Sequence, residues 1–65
     1  MQTFKVQGIS CGHCVRSITQ AIQALEPSAQ VQVDIAGGEV KVESALSAER
    51  IVAAISAEGY PARAA

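Results

Sequence analysis

The sequence predicts an α+β domain whose elements run β-α-β-β-α-β and close into a four-stranded antiparallel sheet with both helices on one face. Three observations carry that expectation. Apolar and polar residues alternate with the period of a strand from Thr3 to Gln7 and again on either side of Gly37-Gly38. After Gly12 and after Ser47 the apolar residues recur at helical spacing instead. Only 65 residues are available, so all of these elements must share a single core.

In the first strand Phe4 and Val6 share one face and Lys5 and Gln7 the other, and Gly8 breaks the pattern. Val15, Ile18, Ile22 and Leu25 then form an apolar stripe while Arg16, Gln20 and Gln23 face elsewhere, which predicts a helix from about Gly12 to Leu25. Pro27 sets its end, because the residue before a proline, here Glu26, is pushed out of the helical region. From Gln30 to Ile35 the alternation returns, with Val31, Val33 and Ile35 on one face. Ala36-Gly37-Gly38 supplies the permissive backbone of a hairpin, and Val40 and Val42 alternate with Glu39, Lys41 and Glu43 in a third strand antiparallel to the second. Ser47 is placed to cap a second helix, with Leu46 and Ile51 at the spacing of a hydrophobic staple and Ile51, Val52 and Ile55 as its buried stripe. Gly59 terminates it, and Tyr60-Pro61-Ala62-Arg63 is long enough only for a short edge strand, where a proline is tolerated. The last two alanines are expected to fray. This order is that of the ferredoxin-like arrangement. Its halves form a weak repeat, but Glu43-Ser44-Ala45-Leu46-Ser47 carries no cysteine, so the repeat supplies one site rather than two.

Composition narrows the function. With 49% hydrophobic, 3% aromatic and 17% charged residues the chain is globular, its core built from aliphatic side chains. Five basic and six acidic residues leave a net charge of -1, too little field of one sign to attract a phosphate backbone or an anionic membrane, so no nucleic acid is expected as a partner. The opening Met1-Gln2-Thr3-Phe4-Lys5-Val6 alternates like a strand and has neither the apolar run of a signal peptide nor that of a membrane span, which places the chain in the cytoplasm without membrane insertion. In that reducing compartment two cysteines separated by two residues point to a metal or redox site rather than a structural disulfide.

Both cysteines lie in Gly8-Ile9-Ser10-Cys11-Gly12-His13-Cys14, where the first strand gives way to the first helix. Cys11 at the loop end and Cys14 in the first turn are expected to present their sulfurs along one edge, Cys14 the less exposed. Unpaired amides and the positive end of the helix dipole favour thiolate there, the form that binds metal. Two thiolates satisfy a soft ion of low coordination number, whereas structural zinc usually takes four protein ligands, so copper(I) fits best. An ion held so openly is suited to exchange rather than storage.

These residues make the chain resemble a heavy-metal-associated domain of the small bacterial copper chaperone type. The stretch Gly8-Ile9-Ser10-Cys11-Gly12-His13-Cys14 is similar to the family pattern Gly-Met-x-Cys-x-x-Cys after the first strand, the element order agrees, and Gly59-Tyr60 stands near the end. The likeness covers nearly the whole chain, read as a single domain over residues 1–65. It implies that Cys11 and Cys14 ligate Cu(I) and that the loop holding Tyr60 lies beside them. It further implies that the ion is delivered to the similar amino-terminal metal-binding domain of a copper P-type ATPase, through intermediates in which cysteines of both proteins share it. Ile9 stands where the family usually has methionine; its similar bulk should preserve the packing beneath the loop.

Other readings stand beside these. His13 is a third ligand, a bridge in a copper-bridged homodimer, or a solvent-facing residue that tunes the thiolates; divergence of adjacent side chains on a helix favours no direct ligation in the monomer. Ser10 either donates to a sulfur or supports the turn, the second being favoured. Tyr60 is a core aromatic or a lid over the metal, and Arg16 a solvated helix residue or a guide for an acidic partner. No residue is read as catalytic, and the chain is expected to be a carrier rather than an enzyme. The main alternative is a thiol-disulfide oxidoreductase, since Cys-Gly-His-Cys also serves disulfide isomerases, but thioredoxin-like folds need more chain and a cis-proline loop for which Pro27 and Pro61 are poorly placed. Binding of zinc or mercury is the other.

Overall fold

The computed structural model describes residues 1–9 and 12–65; Ser10 and Cys11 lie outside the described residues. Its elements are β1 (Gln2–Val6), α1 (Gly12–Leu25), β2 (Gln30–Asp34), β3 (Glu39–Glu43), α2 (Ala48–Ala57) and β4 (Ala62–Ala64). The strands form one antiparallel sheet in the order β2-β3-β1-β4, so the two halves of the chain interleave at its centre, as the ferredoxin-like arrangement requires.

The period of two decides which side of the sheet is covered. Phe4, Val6, Val40 and Val42 point from the two central strands toward the helices, and Ile18 and Ile22 from α1 and Ile51 and Ile55 from α2 meet them. Seven of these eight are fully buried, and each contributes roughly 1.5–3 kcal/mol by leaving water. Val31, Val33, Leu46, Val52 and Tyr60 pack around the rim of this cluster. Among the described residues no polar or charged side chain is buried, so the core rests on shape and apolar area alone.

Both helices end as their flanking chemistry dictates. Ser47 Oγ accepts from Arg50 N at 3.3 Å and so caps α2, and Gly59, at φ +93°, takes the left-handed conformation that ends it. At the far end of α1, Gln23 Nε2 donates to Ala29 O at 3.1 Å and the Glu26 carboxylate accepts from Ala45 N at 2.8 Å, tying the helix to the start of β2 and to the link that enters α2.

Four expectations are corrected. Leu25, assigned to the buried stripe, is 46% exposed: it is the last residue of α1 and lies outside the core cluster, to which the helix contributes Cys14, Ile18 and Ile22. Ile35, expected to continue β2, is 41% exposed in the turn. There the Asp34 carboxylate accepts from Gly37 N at 3.1 Å and Ile35 O from Gly38 N at 3.3 Å, and this turn chemistry wins over alternation. The final alanines, expected to fray, are tied down: Ala64 pairs with Phe4, and Ala65 N donates to Thr3 O at 3.0 Å. β4 accordingly begins after Pro61 rather than at Tyr60.

Candidate metal centre

β1 delivers the chain to the site between two backbone clamps. Val6 N donates to Gly38 O at 2.8 Å, and Gln7 N donates to Pro61 O at 2.9 Å. One clamp comes from the β2–β3 hairpin and the other from the link between α2 and β4, so the chain is gripped on both edges of β1 just before it enters the cysteine loop. Gly38 is needed for its part: its φ is +63°, and a Cβ there would stand 3.2 Å from Val6 O.

Beyond the clamps the chain turns. Gly8 has φ +86°, a conformation that L side chains rarely adopt, and the turn carries Ile9 inward to the core, where it is 9% exposed. The isoleucine thus fills the place expected of it. α1 begins at Gly12, and its first turn brings Cys14 back onto the same core cluster, above Ile18 on the buried face of the helix. Cys14 is 6% exposed, and its Sγ lies 4.0 Å from Gly8 O, the long limit of an S–H···O contact. The sulfur is therefore seated against the backbone that precedes the loop rather than presented freely to water.

Two effects act in opposite senses on negative charge at that sulfur. No acidic side chain stands in the first turn of α1, and the positive end of the helix dipole in the turn that carries Cys14 favours negative charge. Apolar burial works in the opposite sense by disfavouring the bare thiolate, which a bound cation would relieve. His13 is exposed in the same turn, and Arg16 follows it, also exposed. Tyr60, half-buried at the core rim, faces the loop: a Cβ on Gly8 would stand 3.7 Å from its Cδ1. Gly8 thus neighbours both the tyrosine ring and the Cys14 sulfur.

The structure accordingly brings Cys14 and Tyr60 to the same loop through Gly8, and places His13 at the surface of the first helical turn. Cys11 and Ser10 belong to the residues not described, and the pairing of the two sulfurs rests on the sequence. Among the described residues no three of His, Cys, Asp and Glu gather as a metal-holding group. The carbonyls of Gly38 and Pro61 were absent from the sequence reading. Their only trace there is a second glycine in a hairpin that one could have turned, and a proline at the head of an edge strand.

Comparison with known proteins places this geometry. The profile of the heavy-metal-associated domain matches residues 3–61. The copper chaperone CopZ of Bacillus subtilis (strain 168) is 32% identical over 62 residues, which cover 91% of this chain and 90% of the relative. Among solved structures, the copper chaperone Atx1 from Synechocystis PCC6803 superposes with a TM-score of 0.93 at 32% identity, covering 97% of this chain and 100% of that one. A gold binding protein superposes with a TM-score of 0.92 at 35% identity, with 100% of each chain covered.

Proposed function

The chain belongs to the heavy-metal-associated domain family, and from that premise we propose that it is a copper(I) carrier whose cargo is held by Cys11 and Cys14. The observation that carries this reading is the seat of Cys14: a sulfur in the first turn of α1, at a helix end free of acidic side chains, beside the backbone that leads out of β1. The relatives named for copper support the choice of ion. Likeness to a gold binding protein supports a soft ion in general, since thiolates prefer polarisable cations of low coordination number.

Transfer proceeds by thiolate exchange. An incoming cysteine thiolate of the acceptor adds to the two-coordinate ion, and one of Cys11 or Cys14 then leaves as thiolate or, after taking a proton from solvent, as thiol. Copper remains in the +1 state and no electron moves. The acceptor is the amino-terminal metal-binding domain of a copper P-type ATPase in the cytoplasm, and no helix among the described residues is long and apolar enough to cross a membrane. Tyr60 closes the loop from the side of Gly8, Ser10 supports the turn, and His13 is at the surface, where it can bridge to a second molecule in a copper-bridged homodimer.

Anaerobic titration of the reduced protein with copper(I) against a competing chelator tests the reading. Tight binding of about one ion per chain, lost in Cys11→Ser with Cys14→Ser, is the expected result. A protein that binds no copper(I), or a double variant that keeps its affinity, overturns it. Parallel titrations with zinc and mercury rank the cargo, and catalytic insulin reduction would favour the oxidoreductase instead.

A further inference from the structure

The two edges of the sheet are guarded unequally. β4 is three residues long, follows Pro61 and carries Arg63 on its open face, features that discourage a further strand from adding. β2 is five residues long and has no proline, no lysine or arginine and no break in its register with β3. Its core-facing Val31 and Val33 are only half-buried.

The hydrogen-bond alternation identifies which groups of β2 face outward. Val6 N donates to Gly38 O, so in β3 the even-numbered residues bond to β1 and Glu39, Lys41 and Glu43 bond to β2. Their partners Asp34, Gln32 and Gln30 therefore direct their backbone groups inward, and Val31 and Val33 turn theirs to the open edge. The template stops there: Ala29 N donates to Glu26 O, Ala29 O accepts from Gln23 Nε2, and Ile35 O accepts from Gly38 N.

We propose that this edge pairs with β2 of a second copy of the chain, antiparallel about a two-fold axis at Gln32, to join two sheets into one. In that register Val31 of one copy exchanges two backbone hydrogen bonds with Val33 of the other, and the symmetry repeats the pair. On the helix side, valine meets valine. On the open side, Gln32 meets Gln32 and each Asp34 carboxylate faces the amide donors of Gln30, so no like charges are opposed. The same operation on β4 would set Arg63 against Arg63, which is why the second copy selects β2. Ile35, a large apolar residue that is 41% exposed, directly follows β2 and stands at the end of this interface. The pairing needs neither metal nor cysteine.

Sedimentation of the full chain, reduced and held metal-free by a chelator, tests this across protein concentration. A reversible monomer–dimer equilibrium is expected, weakened roughly tenfold by Gln32→Lys, which sets two lysines opposite each other across the axis. Gln20→Lys, the same change on the exposed face of α1, leaves it unaltered. Amide exchange of Val31 and Val33 slows as the dimer fills. A mass that stays monomeric at millimolar protein overturns the proposal, as does a dimer indifferent to Gln32→Lys or one that leaves those two amides unprotected.

Discussion

The ring of Tyr60 lies against the backbone of Gly8, close enough that a Cβ on the glycine would stand 3.7 Å from Cδ1. That is an ordinary contact distance, so the ring does not by itself exclude a side chain. The obstacle is the backbone, held at φ +86° by the clamps just before it. Gly8→Ala should therefore cost about 1–2 kcal/mol through conformation alone. A thermal melt of the metal-free protein is expected to fall by roughly 4–8 °C for each kcal/mol lost. Because no clash is being relieved, Tyr60→Ala should not rescue it; recovery of stability in the double variant would show that the ring, not the dihedral, was the constraint.

Ser47 makes the first orphan amides of α2 less costly by accepting from Arg50 N, while its carbonyl accepts from Ile51 N at 3.1 Å. Ser47→Ala removes only the first of these. A loss of about 1 kcal/mol in a urea titration is expected, whereas Ser47→Asp should hold stability, since a carboxylate caps as well and suits the positive helix end. Equal losses in the two variants would mean that the loss does not come from the cap.

Much of the architecture was readable because its signals are local. Pro27, Ser47 and Gly59 mark helix ends through their own backbone chemistry, and the valine alternation in β2 and β3 fixes which face is covered. The contacts that hold the cysteine loop had no such signature. Gly38 O and Pro61 O reach Val6 N and Gln7 N from segments far away in sequence, and nothing in either segment announces its partner. Ile35 and Leu25 depart from the expectation for a related reason: periodicity says which way a residue points but not whether turn chemistry or the end of a helix takes it out of the packed layer. Ala64 and Ala65 looked like a loose tail because their order comes from the ladder with β1 and not from their own side chains.

Across the open face of the sheet, Asp34, Glu39, Lys5 and Arg63 line up in one row, two acids followed by two bases. The central pair meets at 2.6 Å between Lys5 Nζ and Glu39 Oε2, with the side chains 44% and 30% exposed. Each member also has a like charge as its other neighbour. Lys5→Ala loses the ion pair but relieves Arg63, and Glu39→Ala relieves Asp34, so both single variants should stay within about 0.5 kcal/mol of the parent. A double-mutant cycle nevertheless should show a favourable coupling of about 0.2–1 kcal/mol that shrinks in molar salt. Coupling that is absent at low salt would mean the pair is not populated in solution.

Cys14 has two duties that its substitutions can separate. Its side chain occupies a place in the core cluster at 6% exposure, and its sulfur is the described half of the proposed ligand pair. Cys14→Ala removes the sulfur but leaves an apolar site, at a cost of about 1 kcal/mol, the scale of one buried methyl group. Cys14→Ser puts a hydroxyl among apolar neighbours and should cost more, roughly 1–3 kcal/mol if that hydroxyl goes unsatisfied. Metal binding sorts the variants differently. Copper(I) at a free concentration a hundredfold above its dissociation constant should stabilise the parent by about 2.7 kcal/mol and neither variant measurably, whatever their metal-free stabilities. Thermal melts with and without copper(I) read both effects in one experiment. A copper-dependent rise retained in Cys14→Ala would place the ion elsewhere and reduce this cysteine to a packing residue.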